Sequence, residues 1–178
     1  MNTTLTTERL TLRLVKIDDL AHIHQLHSLE EVDKFNTLGI PKNIDETKAL
    51  VEKLVESNNK EKPNKYTFVL QTTNNEIFAG LIGISLGKEK YKNAEVWFKL
   101  HPNFWNKGFA TEALKKIIDF GFNDLNLHRI EAGCAIENFG SIKVLEKVGM
   151  IREAHTRQLL PLKSGWSDNY GYAILSTD

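Results

Sequence analysis

Between Leu100 and Leu114 the chain runs Phe104-Trp105-Asn106-Lys107-Gly108-Phe109-Ala110-Thr111-Glu112-Ala113, from a β-like run into an amphipathic stretch with helical spacing. Small residues at Gly108 and Ala110 fall where a helix would begin. The first turn of a helix has free N–H groups and the positive end of a dipole. Without bulky side chains in the way, a phosphate can approach those amides. The segment therefore reads as an anion cradle between a strand and a helix. An ordinary helix start packed tightly on a sheet would have the same local pattern. Neither G-x-x-x-x-G-K-[ST] nor G-x-G-x-x-G occurs, so a Walker loop and a Rossmann fingerprint are both excluded.

The elements that would position this cradle alternate between strand and helix. Glu8 to Val15 places Leu10, Leu12 and Leu14 on one face of a first strand. Lys16 to Leu29 has Ile17, Leu20, Ile23 and Leu26 at helical spacing, with Asp18 and Asp19 where the dipole favours them. Asn43 with Glu46 three residues later reads as a capped second helix, its core face formed by Leu50, Val51 and Leu54. Tyr66 to Gln71 and Ile77 to Leu86 form a hairpin about Thr72-Thr73-Asn74-Asn75-Glu76. Gly80 and Gly83 mark a bulge or a close approach in its second strand. Ala94 to Leu100 alternates again. The third helix presents Ala110, Leu114, Ile117, Ile118 and Gly121. Arg129 to Ala135 is a strand parallel to its predecessor across that helix. Asn138 to Val148 is a fourth helix ended by Gly149. Ile151 to Leu160 and Tyr170 to Leu175 form a last hairpin around Ser164-Gly165-Trp166.

The chain has 178 residues and reads as a single domain, 1–178, with formal net charge +0 from 23 basic and 23 acidic residues. That balance points to neither nucleic acid nor an anionic membrane as partner. No stretch approaches a membrane span. One cysteine, Cys134, precludes an internal disulfide and suggests a reducing, cytoplasmic setting. A monomer and a homodimer are equally compatible with the sequence.

The cradle resembles the acetyl-CoA motif of the GNAT superfamily of N-acyltransferases, [Q/R]-x-x-G-x-[G/A], from Gly108 onward. Trp105 stands where Gln or Arg is usual, as it often does in the branch resembling bacterial ribosomal-protein alanine N-acetyltransferases. Asn106 stands where Gly is common. Glu137-Asn138-Phe139-Gly140-Ser141-Ile142-Lys143-Val144-Leu145-Glu146-Lys147-Val148-Gly149-Met150 is similar to the family's E-N-x-x-S-x-x-[VL]-L-[EK]-K-x-G-[FM] helix. Gly165-Trp166-Ser167-Asp168 and Tyr172-Ala173-Ile174-Leu175 match the same branch. The element order β-α-α-β-β-β-α-β-α-β-β is the family's α/β fold, a mixed sheet splayed at its centre.

The resemblance implies acetyl-CoA as acyl donor and a primary amine, of a protein N-terminus or a small molecule, as acceptor. It places backbone amides of Asn106, Lys107, Gly108, Phe109, Ala110 and Thr111, beside Trp105, on the pyrophosphate. The pantetheine arm would lie along Phe98, Leu100 and His101 and bond Asn138. Ser141 would sit near the CoA sulfur, where a hydroxyl protonates the leaving thiolate. Asn138 and Ser141 equally suit a helix N-cap. Glu95 is the candidate base through a water, with Glu89 and Asp168 as alternatives; a strand Glu facing solvent is as compatible with the pattern. His24 and His27 share a helix face, yet no carboxylate or thiol completes a metal set. Cys134 reads as an inert buried thiol, and Trp97, Trp105 and Trp166 as pocket-lining or, more commonly for large aromatics, core residues. The contrasting reading is an acyl-CoA-binding sensor without turnover.

Overall fold

A computed structural model describes residues 3–178. Its centre is an eight-stranded sheet in the order β1-β2-β3-β4-β5-β6-β8-β7. The strands are β1 (Thr4–Thr6), β2 (Leu10–Leu14), β3 (Lys65–Thr72), β4 (Phe78–Leu86), β5 (Asn93–Leu100), β6 (Arg129–Ala135), β7 (Ile151–Leu162) and β8 (Gly165–Leu175). The helices are α1 (Leu20–His27), α2 (Glu30–Asp33), α3 (Ile44–Asn58), α4 (Phe109–Asp119) and α5 (Phe139–Lys147). Every neighbouring pair is antiparallel except β5 and β6, which α4 connects in parallel. This is the expected α/β architecture, with β1 and α2 as additions.

Alternation along the strands divides the buried residues between two faces. Leu10, Leu12, Phe68, Ile82, Ile84, Ala94 and Ile130 pack with α4 and α5. Val15, Val69 and Leu81 pack with Ile23, Leu26 and Val51 of α1 and α3. On α3 the buried positions are Thr47, Val51 and Asn58. Of the other two residues expected on the core face, Leu54 packs partly buried against the α1–α3 cluster, and Leu50 lies partly exposed; both line a groove. Asn58 faces inward because its side-chain amide bonds both the N–H and the carbonyl of Thr67 on β3.

The two glycines expected at a close approach in β4 behave so. The β3–β4 register shifts between Leu70 and Gln71, next to Gly80. A Cβ on Gly80 would run into the Lys99 carbonyl, and one on Gly83 would lie 2.5 Å from the Trp97 indole. Gly149, at φ 93, closes α5: its N–H donates to Glu146 O at 3.1 Å and the Met150 N–H to Leu145 O at 3.1 Å. The last hairpin is longer than the sequence suggests. Its strands continue to a turn at residues 163–164, with Gly165 at φ 117. Asp168 therefore lies within β8, not in a connection.

Candidate active site

The β5–β6 pairing stops early. Asn93, Ala94 and Glu95 stand opposite Arg129, Ile130 and Glu131, and there the ladder ends. β5 continues to Leu100 and β6 to Ala135, so the two strands diverge. β6 stays joined to β8 along its whole length, and β5 to β4. A groove of about 1320 Å³ opens at the split. Val96, Phe98, Ala132 and Cys134 line it, with Asn138 and Ser141 of α5. It extends to Leu50, Leu54 and Leu81 on the α1–α3 face, so it passes from one side of the sheet to the other.

The divergence leaves main-chain groups without strand partners. The Asn93 carbonyl and the His101 N–H both bond toward β4. By alternation, residues 94, 96, 98 and 100 direct theirs to the opposite edge. The Leu100 carbonyl is taken by the Trp105 indole N–H at 2.8 Å. Val96 and Phe98 thus present their peptide groups to the groove. Val96 was absent from the residues expected there; edge parity is its only signal.

At one end of the groove lies the cradle. Pro102–Phe104 forms a 3-10 turn, Asn106 has φ 58, and Gly108, the N-cap of α4, has φ 81. Asn106 supplies the positive φ for which a Gly would be more usual. The first bond of α4 runs from the Glu112 N–H to the Gly108 carbonyl at 3.0 Å. The amides of Phe109, Ala110 and Thr111 precede it and have no acceptor within the helix. Trp105, far from being a core residue, is 40% exposed and holds the turn against β5.

A clamp from the N-terminal strands, unforeseen in the sequence, holds the cradle. Glu112 accepts hydrogen bonds from the Thr7 hydroxyl (2.5 Å), the Arg9 N–H (2.9 Å) and Arg9 Nε (2.7 Å). Burial pushes the Glu112 carboxyl up, but the bonds from Thr7 and Arg9 outweigh it and hold it below its ordinary value. Arg9 also donates to the Lys107 carbonyl at 3.0 Å and lies 4.3 Å over the Phe109 ring. The contact spans 103 residues of sequence, which no local pattern reveals.

Asn138 caps α5: its Oδ1 accepts the Ser141 N–H at 3.1 Å. Both residues also line the groove, so the cap does not exclude contact with a ligand. Phe98, Leu100, Trp105, Asn106, Gly108, Ala110 and Thr111 line it as well. The side chains of four expected residues lie outside the groove lining. His101 gives its N–H to Ala79 and caps the 3-10 turn with its ring. Lys107 Nζ donates to the Asn103 carbonyl at 2.8 Å. Phe109 packs edge-on against Phe104 under Arg9. Glu95 is exposed on the α1–α3 side, at the last paired register before the split.

The alternative carboxylates are displaced further. Glu89 lies in an exposed 3-10 turn. Asp168 is occupied by the Gln158 N–H at 2.9 Å and by His155 at 2.7 Å, in that order the causes of its lowered pKa. Cys134 is buried, and burial followed by the Glu146 charge pushes its thiol up to about 11. Trp97 and Trp166 are not core residues: they are 37% and 67% exposed. Trp97 forms part of the groove wall.

A strand pair split over an amide-lined helix start is the geometry of a CoA-dependent acyltransferase, and the comparisons agree. The family model for the acetyltransferase (GNAT) domain matches residues 9–151. Uncharacterized N-acetyltransferase YnaD of Bacillus subtilis (strain 168) is 33% identical over 174 residues, covering 98% of each chain. A GNAT-family acetyltransferase from Bacillus anthracis superposes with TM-score 0.86 at 29% identity, over 99% of this chain and 100% of that one. The spermidine N-acetyltransferase of Vibrio cholerae, solved with CoA and spermine, has TM-score 0.85 at 24% identity, over 96% and 98% of the two chains. Ribosomal-protein-S5-alanine acetyltransferase from Vibrio fischeri has TM-score 0.85 at 22% identity, over 99% and 98%. The chain belongs to the GNAT family and is an N-acetyltransferase that uses acetyl-CoA.

Proposed function

We propose that the chain acetylates a primary amine by direct attack on the acetyl-CoA thioester inside the split sheet. The single observation carrying this reading is the early end of the β5–β6 ladder, which opens one groove to both faces of the sheet. Donor and acceptor then enter from opposite sides and meet where the strands part.

On the donor side, the amides of Phe109, Ala110 and Thr111 receive the pyrophosphate, with Asn106 and Gly108 shaping the approach. The pantetheine arm adds to the free edge of β5 at Val96 and Phe98, as a peptide adds to a sheet edge. Asn138 bonds the arm from the other wall. On the acceptor side the amine arrives protonated and must lose a proton before attack. Glu95, one register before the split, accepts it through a water. The attack gives a tetrahedral oxyanion, which peptide N–H groups at the split stabilise. Its collapse breaks the C–S bond and releases the CoA thiolate; the Ser141 hydroxyl protonates the sulfur and regains a proton from the one the amine nitrogen sheds on becoming an amide. The acceptor is a protein N-terminus or a small amine; relatives' names include both a ribosomal protein alanine and a polyamine.

The test is thiol release from acetyl-CoA with a panel of amines, for the wild type and Ser141→Ala. The expected outcome is amine-dependent release, with kcat falling about tenfold or more in the variant at unchanged acetyl-CoA affinity. Full turnover in a folded Ser141→Ala protein would reduce Ser141 to a capped helix residue.

A further inference from the structure

The acceptor side of the groove holds a cation that nothing in the protein neutralises at close range. Lys99 of β5 stands opposite Leu81 of β4, on the face covered by α1 and α3, and lines the groove beside Trp97. The lining contributed by α1 to α3 and the segment after α2 combines Val32, Phe35, Leu50 and Leu54 with His27, Asn36 and Thr37. Among the described residues its ammonium makes no ion pair and no hydrogen bond. Nor is it sealed off, because the buried side-chain atoms lacking a partner are Asp33 Oδ1 and Asn93 Oδ1. The nitrogen therefore reaches the open groove.

The charges around it are mixed. Burial pushes the Lys99 ammonium down to about 8, and the buried Asp33 of α2 opposes this through space, without contact at ion-pair distance. His27 of α1, also buried, is held neutral well below its ordinary range, by burial and then by Lys99 itself. Glu31 and Lys34 lie exposed at the rim. A half-buried cation is costly unless something pairs with it. Part of that cost shows in its pKa of about 8, which still leaves it charged at neutral pH and open to pairing with an anionic ligand.

We infer that Lys99 is a specificity residue that binds an anionic group of the acceptor, so the preferred acceptor is an amine bearing a carboxylate. This rests on the acetyl-transfer reading above. Lys99 lies one to three residues beyond the peptide groups of Phe98 and Val96. At the rise of a strand, the carboxylate then sits within roughly 10 Å of the reacting amine. An amino acid or the N-terminus of a peptide with an early acidic residue meets that limit. A polyamine brings only like charge to Lys99, which opposes its binding.

The test measures acetyl transfer at saturating acetyl-CoA for the wild type, Lys99→Met, Lys99→Arg and Lys99→Glu. The acceptors are free amino acids, short peptides with Asp or Glu at the second position, and spermidine. Wild type should favour a carboxylate-bearing amine, and the stronger of the first two arms identifies its source. Lys99→Met should raise KM for that acceptor about tenfold or more, with kcat and acetyl-CoA affinity little changed. Lys99→Arg should retain the preference, and Lys99→Glu should shift it toward spermidine. Preference for spermidine in the wild type, or unchanged acceptor KM in Lys99→Met, would overturn the assignment while leaving acetyl transfer intact. No thiol release with any amine would overturn the acetyl-transfer reading, and this inference with it.

Discussion

His27 shows how one side chain couples the fold to pH. Helical spacing brings it inward on α1 with Ile23 and Leu26. Burial, then the charges of Lys99 and His24, lower its pKa to about 4 from 6.5. In the unfolded chain it takes a proton near 6.5, while in the folded protein it stays neutral until about 4. The unfolded state binds more protons in that window, so stability rises with pH across it and falls on acidification. Urea unfolding should show a loss of up to roughly 3 kcal/mol between pH 7 and pH 4 from this group. His27→Gln should flatten the profile there; parallel profiles for the two proteins would rule His27 out as the cause. At this scale the sequence revealed what is local. Asn43 and Asn138 were legible as caps because each bonds an amide three residues on. Asp19 was read as a dipole partner, yet its carboxylate chiefly receives Arg13 in two bonds and the Lys16 N–H. Of the two readings open for the tryptophans, pocket lining holds for Trp97 and Trp105, which wall a groove whose existence depends on strand divergence.

The element that most determines the cradle is the one furthest from it in sequence. Thr7 and Arg9, at the turn between β1 and β2, hold Glu112 in the first turn of α4 and the Lys107 carbonyl before it. Glu112→Ala would leave the Arg9 N–H without its acceptor and the Thr7 hydroxyl with only the Leu10 carbonyl. That should cost about 1–2 kcal/mol in urea unfolding. It should also weaken acetyl-CoA binding, because the helix start loses its clamp; Arg9→Ala should do the same. Unchanged affinity in both would mean that the cradle holds its shape alone. Because Glu112 is held below its ordinary pKa, its contribution is present above about 4.5 and fades as the pH falls through the lower folded value. Most elements were legible from periodicity: β2 through its alternating leucines, α4 through its apolar stripe. β1 and α2 were not, since three and four residues are too short to carry a period. The inner part of the last hairpin read as loop because Pro161, Ser164 and Gly165 are turn formers. Pairing across the hairpin overrides that local preference.

For the molecule as a whole, the order of elements was readable from the residues, and the opening between them only through the family resemblance. Nothing in Arg129 to Ala135 shows that pairing with β5 ends at Glu131. The split is a property of the sheet, set by what packs on either side, and it makes one groove of two faces. The cradle serves that groove only if it binds the donor's phosphates. Gly108 is the position that tests this. A Cβ there would meet only Arg9 Nη2, at 3.4 Å, so the site has room for a side chain. Its φ of 81 makes any other residue cost about 1 kcal/mol, which Gly108→Ala shares with Gly108→Glu. Calorimetric titration of acetyl-CoA into the wild type and these two folded variants is the most direct measurement. The account predicts binding to the wild type, weakened but measurable binding to Gly108→Ala, and no binding to Gly108→Glu, whose carboxylate occupies the phosphate position. Equal affinity in all three would contradict it, and would move the donor out of the cradle.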